Sequence, residues 1–154
     1  MRIITLFAIL FLIPGMLAAQ SQKTEYDSTL ARKLGADAYG MKAYVFVILK
    51  TGPTKVTDKV KEDSLFAGHM HNIQRLADEG KLVVAGPFFE NSAAYRGLFI
   101  LNTPSLEEAQ KLLETDPTIR EKIFEVELSK WYGSAALGEY LPIHTKIQKP
   151  ATAD

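Results

Sequence analysis

The chain has 154 residues, enough for one domain with appendages. Its 18 Lys and Arg balance 18 Asp and Glu, and they form no basic stripe interleaved with aromatics, which argues against a nucleic-acid partner. With no cysteine there is neither a disulfide nor a cysteine for lipid attachment, so stability must come from core burial.

Arg2, the uncharged run 3–13, apolar but for Thr5, the Pro14-Gly15 break and Leu17-Ala18-Ala19 with its small alanines read as an export signal over residues 1–19, cleaved before Gln20. The run is short for a bilayer span; an uncleaved anchor is the alternative. Cleavage removes one charged residue, Arg2, and leaves a net charge of −1. The expected product is periplasmic or secreted, with no membrane span remaining.

Residues 20–41 form a polar N-terminal arm, in which Tyr26, Leu30 and Leu34 are spaced as one stripe of a short helix ending at Gly35. Such an arm packs on the domain or on a partner subunit. Residues 42–50 are β-branched and aromatic and predict a central strand covered on both faces, ended by Thr51-Gly52-Pro53-Thr54. A helix follows from about Asp58 to Glu79, with Gly80 as its left-handed terminator. Residues 81–85 predict a second strand stopped by Gly86-Pro87, and Tyr95 to Leu101 a third, with Gly97 permitting a bulge. Ser105-Leu106-Glu107-Glu108 is a capping box opening a second helix through about Glu114. Asp116-Pro117 starts a further helical turn, and Phe124 to Leu128 alternates as a fourth strand. Residues 133–154 form a tail in which a turn leads to a short docked segment, and the last ten residues are expected to fray.

The order β-α-β-β-α-β predicts an α+β, ferredoxin-like domain over residues 42–132, with two helices on one face of an antiparallel sheet. The other face needs a cover, and a second copy of the chain, sheet against sheet, is the expected one.

Within the first long helix the inward stripe is Phe66, His69/Met70, Ile73 and Leu76/Ala77, while His71 falls among Gln74, Arg75 and Asp78 on the wet face. One histidine is therefore aimed inward and needs partners for its nitrogens. It is either a core histidine satisfied by a carbonyl, or a general base or ligand-orienting group. His69 and His71 are two apart and face different directions, which does not suit one metal, and no cofactor is expected. No Ser-His-Asp signature, phosphate loop or dinucleotide glycine pattern is present.

His69, then Leu76 and Glu79-Gly80-Lys81-Leu82-Val83-Val84-Ala85-Gly86-Pro87, then Ser105-Leu106-Glu107-Glu108-Ala109 and Thr115-Asp116-Pro117, resemble in content and order the YCII-related proteins. The resemblance covers about 90 residues, from the first strand to Trp131. It implies a dimeric α/β barrel of ferredoxin-like subunits with an active-site His-Asp dyad, here His69 and Asp116. It also implies small-molecule chemistry, since a few members act on small aromatic compounds, including loss of chloride from a chlorinated hydroquinone. The chain departs from the pattern before His69, where Leu65-Phe66-Ala67-Gly68 replaces the polar or basic residue of many members. It departs also in its export signal, its arm and its tail.

Asp116 has a structural role of its own, since Asp at the cap followed by Pro is a favoured helix start. One oxygen can cap while the other orients an imidazole and fixes its tautomer. Pro87 and Phe88 can wall an apolar pocket or simply make a turn; Arg96 can meet an anionic substrate or a surface carboxylate. His144 reads as a solvated tail residue, and Trp131 and Tyr132 as core or dimer contacts. The expected function is that of an exported homodimeric enzyme using His69 as base on a small, aromatic or enolisable compound, by elimination or isomerisation. The alternatives are a non-catalytic ligand-binding module and an envelope interaction protein.

Overall fold

The structure, a computed structural model, describes residues 25–149; the segment 1–19, expected to be an export signal, lies outside them. Side chains that accept from free amides start the helices. Asp27 caps α1 (Ser28–Leu34), Asp58 caps α2 (Lys59–Asp78), Ser105 caps α3 (Leu106–Leu113) and Asp116 caps α4 (Pro117–Arg120). At the far end of α2, Gly80 takes a φ of 67°, the left-handed turn expected of it.

Four strands, β1 (Met41–Thr51), β2 (Leu82–Pro87), β3 (Tyr95–Leu101) and β4 (Phe124–Ser134), form one sheet of order β2-β3-β1-β4. Every neighbouring pair is antiparallel. β1 and β2 therefore run parallel with β3 between them, and β3 and β4 run parallel with β1 between them. The fold is α+β, two β-α-β units each split by a strand of the other.

Alternation along β1 supplies two cores. Val45, Val47 and Leu49 join Phe99 and Leu101 beneath α2 and α3, meeting Leu76, Ala109 and Leu113. On the opposite face Tyr44 packs with Val83 and Ile100. Part of that second face is covered by the chain itself, since Leu137 of the 3-10 helix Ala135–Tyr140 packs on the Tyr44 cluster. Phe46, Ile48 and Leu98 of the same face are only half-buried.

The boundaries differ from expectation at three places. β2 runs through Gly86-Pro87, where a stop was expected; as an edge strand it tolerates a proline. β4 continues past Leu128 to Ser134, because β1 pairs with it along its whole length, from Thr51 opposite Phe124 to Met41 opposite Ser134. The tail, of which only the last ten residues were expected to fray, forms α5 (Leu141–Ile147), which runs three residues into that stretch. The capping box is also half-formed: Glu108 turns to Thr103 Oγ1 (2.6 Å) and Lys81 instead of the Ser105 amide, which donates to Thr103.

Candidate active site

α2 and α4 cross where neither has bulk. A methyl group on Gly68 would lie 2.8 Å from the Pro117 ring, so only glycine admits this approach. The crossing sets the first residue before α4, Asp116, against His69. His69 Nδ1 lies 2.6 Å from Asp116 Oδ2, with both side chains buried. The other carboxylate oxygen, Oδ1, accepts from the Thr118 amide at 2.9 Å and the Thr118 hydroxyl at 2.7 Å. One oxygen thus starts a helix while the other meets the imidazole.

Burial pushes the Asp116 carboxyl up, but the hydrogen bonds from His69 and Thr118 and the attraction of His69 outweigh it and hold it below the ordinary range. An ionised carboxylate can only accept, so Nδ1 carries the hydrogen. Nε2 has no hydrogen-bond partner among the described residues, and no buried side-chain nitrogen or oxygen there lacks one. It therefore reaches open space. Phe66, Phe99 and Phe124 surround the ring at centroid distances of 6.4, 6.1 and 5.5 Å, Phe99 stacked and the other two edge-on. Their packing fixes the imidazole plane.

His69 opens on a cavity of about 600 Å³ between α2, β2 and α5, a size that suits a small organic ligand. Pro87 and Arg96, both expected near a ligand, line it. Phe88 does not: it sits past the end of β2 and packs on Tyr95, with ring centroids 5.8 Å apart. His71 is exposed, as its place on the wet face requires. Met70, expected inward, is 61% exposed at the rim, and the inward place beyond His69 goes to Asn72. Asn72 accepts from Arg75 and from the Thr115 hydroxyl, both at 2.8 Å, tying α2 to the residue before Asp116. His144, expected to be merely solvated, borders the cavity from α5. Thr118 and Asn72 gave no sequence signal beyond their proximity to Asp116 and His69. His144 stands one turn after Tyr140, but only the docking of the tail reveals its position.

A family model for the YCII-related domain matches residues 43–132. The Uncharacterized protein YjpA of Bacillus subtilis (strain 168) is 31% identical over 88 residues, which cover 57% of this chain and 94% of that protein. A solved structure of the 5-chloro-2-hydroxyhydroquinone dehydrochlorinase TftG from Burkholderia phenoliruptrix AC1100, in complex with 2,5-dihydroxybenzoquinone, aligns at 18% identity. That alignment covers 56% of this chain and 92% of the other, with a TM-score of 0.43, too distant to speak for chemistry. The family match takes in more than half the chain, including β1 to Tyr132 and both His69 and Asp116: the protein belongs to the YCII-related domain family.

Proposed function

We propose that the protein is an exported, homodimeric enzyme of ferredoxin-like subunits in which His69 is the general base and Asp116 its orienting partner. The observation behind this reading is the 2.6 Å contact that occupies Nδ1 and leaves Nε2 facing the cavity. A neutral imidazole held this way has its lone pair on Nε2. It can take a proton from a phenol, an enolisable C–H or a water beside it. The substrate anion so formed then expels a leaving group, or takes the proton back from imidazolium at another atom. Elimination and isomerisation are the two outcomes, and the apolar walls suit a small aromatic or enolisable compound, with Pro87 and Arg96 as contacts. Neither outcome requires a cofactor.

Screening such compounds for turnover tests the reading. His69→Gln should lower kcat/KM by at least about 10²-fold on any substrate found, the usual scale of general-base catalysis, without loss of fold. Binding that survives with no turnover in the wild type would instead favour a ligand-binding module in the same cavity. Export is proposed from the signal-like residues 1–19; the amino-terminal residue of the exported product should be Gln20, read by sequencing.

A further inference from the structure

The cavity is not built by the family-matched residues alone. Five of its lining residues, Tyr140, Leu141, His144, Thr145 and Gln148, lie beyond position 132. This part of the chain is anchored. Ala135 donates its amide to Gly40 at 2.9 Å, Leu137 packs on the Tyr44 cluster, and the Tyr140 hydroxyl donates to the Val83 carbonyl at 2.6 Å. The last bond satisfies a carbonyl of the edge strand and sets where α5 begins.

The helix that follows is oriented the wrong way for a purely structural role. Leu141, His144, Thr145 and Gln148 are spaced three and four apart, a single helical face, and that face borders the cavity. The apolar Ile143 and Ile147 are 62% and 76% exposed. A segment docked only for stability would bury them. Thr145 spends its hydroxyl on the Leu141 carbonyl, but the His144 ring and the Gln148 side-chain amide have no hydrogen-bond partner among the described residues. Arg96, on the same lining, pairs with no carboxylate among those residues. The one carboxylate on the lining, Asp78, accepts from the Gln74 amide. Nitrogen donors thus outnumber carboxylates on a lining whose deeper part, Leu49, Ile73, Leu82 and Phe99, is apolar.

We propose that α5 is the ligand-selecting wall of the cavity, and that His144 and Gln148 hold the anionic end of a small acid whose apolar body lies toward His69. The placement of the body rests on the reading of His69 given above; the selection of the acid does not.

Dissociation constants of benzoate and hexanoate, set against benzyl alcohol and hexanol, test this by NMR titration of the full chain, with the His69 ring resonances marking occupancy of the cavity. The acids should bind about tenfold more tightly than the alcohols, the scale of a hydrogen bond to a charged group. His144→Ala with Gln148→Ala should remove most of that preference, leaving only what Arg96 supplies, with alcohol affinity and Tm unchanged, because both residues are exposed and outside either core. A chain ending at Tyr140, which keeps Leu137 and the Tyr140 anchor but loses the wall, should also lose the preference, with weaker binding of acids and alcohols alike. The proposal is overturned if acids and alcohols bind alike in the wild type, if no probe binds, or if the preference survives both variants undiminished. His69→Gln should retain the preference even where it abolishes turnover, so a failure of one reading is separable from a failure of the other.

Discussion

Asp116 is wholly buried yet ionised, and it is fully used, with one oxygen on Thr118 and the other on His69. Asn is itself a good helix cap, so Asp116→Asn keeps the start of α4 and changes chiefly the partner of the imidazole. Nitrogen chemical shifts should show His69 protonated at Nδ1 in the wild type and a mixed or reversed tautomer in the variant. At neutral pH the loss of a charged hydrogen bond should cost about 1–3 kcal/mol of stability. Because the folded-state carboxyl lies below 3.8, its contribution is complete above that value and fades as pH falls through the lower, folded-state one. Denaturation of the two proteins should therefore differ most near neutrality and converge as the solution is made more acid than 3.8. At this scale the sequence was legible where periodicity spoke. The stripe containing Phe66, Ile73 and Leu76 selected His69 over His71, and the Asp-Pro pair marked Asp116. Asn72 was not legible: a polar letter on an inward face looks like an outward one until its partner, Thr115, arrives from a segment 43 positions away.

The helices meet at a glycine that helix propensity alone would replace. Alanine at position 68 gains up to about 1 kcal/mol in an exposed helix, yet here its methyl would press on the Pro117 ring at 2.8 Å. Gly68→Ala should therefore lower Tm instead of raising it. It should also weaken the His69–Asp116 bond by moving α4, which would appear as a shift of the downfield His69 Nδ1 proton resonance. Elements of the sheet were legible in type and order, less so in length. Residues 129–134 include Ser129, Lys130 and Gly133, which carry little strand signal by themselves, and pairing along β1 overrides that weakness. α5 was hidden for the opposite reason: Ile143 and Ile147 point to solvent and only Leu141 turns inward, so the tail lacks the inward stripe by which α2 announced itself.

Across the whole molecule, the sheet face opposite α2 is only partly closed by the chain's own 3-10 helix, leaving Phe46, Ile48 and Leu98 half-buried beside Trp131. This is where the proposed second copy would pack. Sedimentation should give a dimer for the wild type. Ile48→Lys, which leaves the Tyr44–Val83–Ile100 cluster intact, should give a folded monomer by circular dichroism. That one face needs a cover was readable from the apolar β1; that the tail would supply part of it was not, because the contact joins segments about 90 residues apart. Stability is also unevenly spread. The long pairing of β1 with β4 ties one edge of the sheet to its centre, whereas α4 is a single turn of four residues started by Asp116. The carboxylate that starts this turn also holds the imidazole. Fraying of one turn therefore disarms the proposed base while the sheet stays whole, so the lifetime of the His69–Asp116 pair on warming is set by its shortest helix and not by the melting of the domain.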